Sequence, residues 1–113
     1  MELADIRSLA VLGLSRSGRP AALLARRRLP GAEVVGLDEG DALAAETLDA
    51  LREAGIPCRV GPGVVLPQDV DVLVKSPGVP AASAVVQDAV RRGVTIWSEV
   101  EFATRFLPNR LTG

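Results

Sequence analysis

Val11-Leu-Gly-Leu-Ser-Arg-Ser-Gly18 is a short apolar run that ends in a turn bracketed by Gly13 and Gly18 and passes at once into a helix-forming segment. In this way a parallel sheet presents free backbone N–H groups to a phosphate. A second apolar run, Glu33-Val-Val-Gly-Leu-Asp38, follows about one helix later and closes on a carboxylate. An acidic residue in that place commonly holds a sugar hydroxyl or a base edge. Against the dinucleotide pattern G-x-G-x-x-G, Gly13 and Gly18 fit, but Ser15 stands where the middle glycine belongs. That glycine lets a pyrophosphate crowd the backbone, so Ser15 argues against ordinary NAD binding.

The other apolar runs are also short and continuous rather than alternating, which suits strands buried on both faces of a parallel sheet. Strands are expected at about Ser8–Leu14, Ala32–Asp38, Pro57–Val60, Val70–Lys75 and Val94–Trp97. Gly18–Leu29 has helical spacing, with Ala21, Leu24 and Ala25 on one face and Pro20 in the first turn, where proline is tolerated. Asp41–Ala54 offers Asp41 as N-cap, a face of Leu43, Ala44, Leu48 and Leu51, and Gly55 as the stop. Ala82–Arg92 repeats the plan with Val85, Val86, Ala89 and Val90 facing inward and Gly93 ending it. A last helix starts at Ser98-Glu-Val-Glu101, whose S-x-x-E spacing is a capping box. The alternation predicts an α/β fold: a doubly wound, Rossmann-like five-stranded parallel sheet with helices on both faces.

With 113 residues and 48% apolar content, the chain holds one domain's worth of core. Lys+Arg number 13 against Asp+Glu 14, and only Arg26-Arg27-Arg28 are adjacent, so no nucleic-acid partner is expected. The arginine triplet falls late in a helix, where cations complement the dipole. Histidine is absent and Cys58 is the one cysteine, which excludes a disulfide within the chain and makes a Cys/His metal site implausible. Cys58 is expected to be a small buried hydrophobe at a strand start. No apolar stretch approaches a membrane span, and the N-terminus lacks a signal peptide's order, so no membrane partner and a cytoplasmic location are expected.

In such a sheet the ligand crevice lies outside the carboxyl ends of the strands, where the winding reverses, and three loops should meet there. Gly13–Gly18 would offer the N–H groups of Arg16, Ser17 and Gly18 to an anion. Asp38, with Glu39 and Gly40, would accept hydrogen bonds from a ribose diol or an imide N–H. Lys75-Ser-Pro-Gly-Val-Pro80 leaves the fourth strand; Pro77 forces Ser76 into an extended conformation and Gly78 permits positive φ. Each also has a plain structural reading, as tight turn, helix start or common S-P-G bend. There is no histidine base, nucleophile elbow or forced carboxylate pair, and Glu99 and Glu101 are helix N-terminal charges. The chain alone is expected to bind rather than catalyse.

Together, Val11–Gly18, the strand ending at Asp38, Val74-Lys-Ser-Pro-Gly-Val-Pro80 and Ile96-Trp-Ser-Glu-Val-Glu101 resemble the N-terminal domain of the Mur ligases of peptidoglycan synthesis, above all the D-glutamate-adding branch. The resemblance covers nearly the whole chain. It implies an ATP-dependent, amide-forming parent enzyme with a UDP-binding N-terminal domain, a central ATPase and a C-terminal amino-acid domain. Residues 1–107 would be the UDP-substrate domain, and 108–113 the start of a linker or strand into a missing central domain. The substrate implied is UDP-N-acetylmuramoyl-L-alanine; ATP and Mg²⁺ belong to the later domains, and no cofactor or metal to this fragment. Carried over by position, Leu14, Ser15, Arg16 and Ser17, leading into Gly18, match the diphosphate loop. Asp38 matches the uracil-contacting acid with Glu39 beside it, and Ser76, Pro77 and Gly78 match the loop closing over diphosphate and sugar. The alternatives are an NAD(P)-binding oxidoreductase domain, for which Gly13, Gly18 and Asp38 speak, and a ligand-free regulatory module of the same fold.

Overall fold

The computed structural model describes residues 2–15, 18–40 and 43–106. Five strands form one all-parallel sheet: β1 (Ser8–Leu12), β2 (Glu33–Asp38), β3 (Cys58–Val60), β4 (Val72–Lys75) and β5 (Thr95–Ser98). The helices are α1 (Gly18–Arg28), α2 (Ala45–Glu53), α3 (Ala84–Arg92) and α4 (Glu99–Thr104). The strand order is β3-β2-β1-β4-β5, so the chain winds outward from β1, returns to β4 and winds outward the other way. The doubly wound, Rossmann-like expectation holds, and the winding reverses between β1 and β4.

The continuous apolar runs have their reason here. Leu9, Ala10, Val11 and Leu12 of β1 are at most 1% exposed, because alternate side chains enter two separate cores. Leu9 and Val11 pack with Ala21, Ala25, Leu51 and Phe102 beneath α1, α2 and α4. Ala10 and Leu12 pack with Leu37, Leu73, Val85, Val86 and Ala89 beneath α3. Burying one such aliphatic side chain contributes about 1.5–3 kcal/mol, so the centre of the sheet is the most strongly held part. Trp97 stacks near Phe102 with ring centroids 6.3 Å apart, and Phe102 meets Phe106 edge-on at 5.1 Å.

Several local expectations change. β1 stops at Leu12 rather than Leu14, because Gly13 takes φ +88° and turns the chain. α2 starts at Ala45 with Ala44 as an N-cap that makes no side-chain bond; Asp41, the expected cap, lies outside the described residues. Ala44 is exposed, and Thr47 is buried on the helix face instead. Val90, expected inside, is 62% exposed, since α3 turns only Val85, Val86 and Ala89 to the sheet. No helix joins β3 to β4. Leu66 and Val70 of that irregular crossing cover the second core in its place.

Helix ends follow the sequence signals closely elsewhere. Ser98 Oγ accepts from Glu101 N–H at 3.0 Å and Glu101 Oε1 from Ser98 N–H at 2.9 Å, completing the capping box. These bonds hold the Glu101 carboxyl below its usual range. Gly93 closes α3 in the left-handed conformation. Arg26 places one terminal nitrogen 2.8–3.1 Å from the carbonyls of Leu29, Pro30 and Ala32, sealing the end of α1. Cys58 opens β3 half-buried, where burial raises its thiol pKa. Among the described residues no helix is long and apolar enough to cross a membrane.

Candidate functional site

The carboxyl ends of β1, β2 and β4 lie side by side in register, Leu12 opposite Leu37 and Lys75. The three loops leaving them surround one cleft of about 260 Å³, lined by Gly13, Ser15, Asp38, Glu39, Ser76 and Val79 among others. That volume is just below the range of about 300–1,000 Å³ usual for small-molecule sites, enough for part of a nucleotide.

Gly13 cannot be replaced without strain. Its φ is +88°, and a Cβ there would lie 2.8 Å from Val79 Cγ2 and 2.9 Å from Ser76 Cβ. The β1 loop and the β4 loop therefore touch at a point where only a hydrogen fits. A Cβ on Gly18 would fall 1.6 Å from the Gly13 carbonyl oxygen. The first turn of α1 is thereby drawn against the end of β1. These are the tight-turn and close-packing roles of the first and third glycines of a dinucleotide loop. Ser15, at the middle position, is exposed on the cleft wall.

Asp38 ties the second loop to the first. Its Oδ2 accepts from Leu14 N–H at 2.9 Å and its Oδ1 from Gly40 N–H at 2.9 Å. Each oxygen keeps a lone pair for a further donor, so the carboxylate is oriented before any ligand arrives. Glu39 lines the cleft, but its Oε1 accepts from Ser83 Oγ–H at 2.6 Å and its Oε2 from Val85 N–H at 3.4 Å, both at the start of α3. The third loop begins with Ser76 N–H on Leu12 C=O at 3.0 Å and closes a turn with Val79 N–H on Ser76 C=O at 3.0 Å.

Of the sequence-derived candidates, Ser15, Asp38, Glu39, Ser76 and Gly78 thus share one cleft. Leu14 is fully buried beneath it, so only its backbone serves the loop. Gly18 is buried at the helix start, and Pro77 sits exposed on the turn outside the lining. Arg16 and Ser17 lie outside the described residues. Gly78 does not use the freedom expected of it: its φ is not positive and a Cβ would meet nothing within 4 Å. Val79, Pro80 and Ser83 were missed as site builders, although Val79 and Pro80 complete the K-S-P-G-V-P run that marked the loop.

Larger depressions, of about 440 and 510 Å³, open at the opposite rim around Ser8 and Glu33. They lie at the amino ends of the strands, where helix carboxyl ends such as that of α1 gather and the dipole disfavours anions. The smaller cleft is therefore the better candidate. Among the described residues no three His, Cys, Asp or Glu side chains gather as a metal would require.

No family model matches the chain. It is 45% identical over 96 residues to the UDP-N-acetylmuramoylalanine-D-glutamate ligase of Salinibacter ruber, covering 85% of this chain and 20% of that protein. The ligase of the same name from Anaeromyxobacter dehalogenans is 43% identical over 103 residues, covering 86% and 21%. Over most of its own length this chain is similar to Mur ligases. The Mur ligase fold extends to the crystal structure of UDP-N-acetylmuramate-alanine ligase from Thermotoga maritima, which matches with a TM-score of 0.67 at 23% identity, over 85% of this chain and 21% of that one. The chain spans about one fifth of the length of these Mur ligases.

Proposed function

We propose that this chain holds the uridine diphosphate end of UDP-N-acetylmuramoyl-L-alanine, as one domain of a longer ATP-dependent ligase that joins D-glutamate through an amide bond. The observation that most supports this is the convergence of all three loops on one cleft at the switch point, with Asp38 already oriented by two backbone N–H groups. In this reading the free lone pairs of Asp38 accept from the base or sugar. The opening N–H groups of α1, drawn close by Gly18, face the diphosphate. Arg16 and Ser17 are proposed from sequence to extend that anion surface, and Ser76 to flank it.

ATP and Mg²⁺ would act in parts of the parent enzyme outside this chain. Charged-acceptor hydrogen bonds contribute roughly 1.5–3 kcal/mol each, whereas association costs an estimated ~4–15 kcal/mol. A few such bonds leave the domain by itself a weak binder.

Calorimetric titration with UDP-N-acetylmuramoyl-L-alanine tests the proposal. Saturable heat with a Kd no weaker than about 1 mM, equivalent to about 4 kcal/mol, is expected, without ATP turnover. No heat at millimolar ligand, from protein shown to be folded by Trp97 emission, would overturn it. The oxidoreductase alternative would instead show tight NADH binding with enhanced nicotinamide fluorescence.

A further inference from the structure

Glu39 lies in the cleft beside Asp38, yet both of its oxygens are engaged elsewhere. Ser83 is the N-cap of α3, and its Oγ accepts from Val86 N–H at 3.3 Å. The single hydroxyl proton of Ser83 goes to Glu39 Oε1 at 2.6 Å, which leaves the lone pair aimed at Val86. Glu39 Oε2 takes the N–H of Val85. Two of the first N–H groups of α3 are thus met, one by its own cap and one by a carboxylate 46 residues earlier. A negative charge is favoured at that helix end by the dipole as well.

The position of this bridge gives it consequence. Glu39 follows β2, Ser83 ends the loop that follows β4, and β1 lies between those strands. The bond therefore spans the carboxyl end of β1, across the switch point. The Ser76–Pro80 loop is fastened at its start by Ser76 on Leu12 and by packing against Gly13. Its far end is fastened by Ser83, which is only 7% exposed, through Glu39.

We infer that Glu39 is a positioning residue of the nucleotide cleft, acting through α3 and the Ser76–Pro80 loop instead of touching the ligand. The inference rests on the reading of the cleft as a uridine diphosphate site. It carries a distinctive sign. Removing a carboxylate beside a diphosphate should tighten binding by Coulomb's law, whereas releasing the loop should weaken it.

UDP and uridine are titrated into the wild-type chain, Glu39→Gln, Glu39→Ala, Ser83→Ala and the Glu39→Ala/Ser83→Ala double variant, each shown folded by Trp97 emission. Glu39→Ala and Ser83→Ala should each weaken UDP about tenfold, the scale of one charge-assisted hydrogen bond. The double variant should lose little more than either single one, and uridine binding should change less than UDP binding. Glu39→Gln keeps an acceptor for Ser83 and should retain most of the affinity. Tighter or unchanged UDP binding by Glu39→Ala would overturn the inference. So would equal losses for uridine and UDP with Ser83→Ala silent, the pattern of direct contact. Failure of the folded wild-type chain to bind UDP would overturn the cleft reading and this inference with it, before any variant is compared.

Discussion

Gly13→Ala is the sharpest probe of the cleft, with Gly78→Ala as its control. An L-residue forced into the left-handed region, where Gly13 sits at φ +88°, loses about 1–2 kcal/mol. The new Cβ would stand 2.8 Å from Val79 Cγ2 and 2.9 Å from Ser76 Cβ. Carbon atoms rest at about 3.5–4.0 Å, so the β4 loop must retreat by roughly 1 Å. Overpacking of that order costs about 1–3 kcal/mol. The two contributions give a loss of about 2–5 kcal/mol, or roughly 8–20 °C in Tm at about 4 °C per kcal/mol for a chain of this size.

Gly78 has neither constraint, and alanine there should be neutral or stabilise by about 0.4–1 kcal/mol through the unfolded state. Urea and thermal unfolding followed through Trp97, the one tryptophan, measure both, and UDP titration should show weaker binding by Gly13→Ala. A Gly13→Ala loss below about 1 kcal/mol, smaller than the left-handed backbone alone should cost, would refute the argument. An equal loss at Gly78 would refute it too.

Two further tests probe side-chain bonds made by the helices. Arg26→Ala removes the cation that seals α1 against three carbonyls and should cost about 1–2 kcal/mol; a urea midpoint equal to the wild type's would show that water serves those carbonyls as well. The second concerns acid. The bonds from Ser98 hold Glu101 below its usual range, and the hydrogen bond from Arg92, then that from Arg91, does the same for Asp88. Both groups bind protons more weakly folded than unfolded. Their stabilisation is therefore present above the ordinary carboxylate range, near pH 4, and is lost as pH falls through their depressed values. Glu101→Gln and Asp88→Asn should lower Tm at pH 7 and flatten its decline toward pH 3, whereas curves parallel to the wild type's would exclude a contribution from these pairs.

Local chemistry by itself determined much of this protein. Continuous apolar runs marked the central strands β1 and β4, which are buried on both faces, although the edge strand β3 stays exposed at Arg59 and Val60. Gly93 and the Ser98/Glu101 box marked helix ends, and Gly13 to Gly18 marked a turn into a helix. Each depends on residues within a few positions of one another, where backbone sterics and hydrogen-bond reach leave little choice. That the three loops belong to one rim also followed, because parallel strands joined by crossovers put every such loop at the same edge.

Only the tertiary structure decided what each loop residue does there. Glu39 serves α3 because the reversal between β1 and β4 brings Ser83 across the cleft mouth, over 44 positions of sequence. Gly13 is constrained by Val79 and Ser76, and Gly78 by nothing nearby, although both looked alike as loop glycines. Val90 faces out because α3 turns only Val85, Val86 and Ala89 to the sheet, a choice that apolar spacing does not record. Side-chain partners separated by long stretches of chain are chosen by the packing of whole elements, and no local pattern encodes that choice.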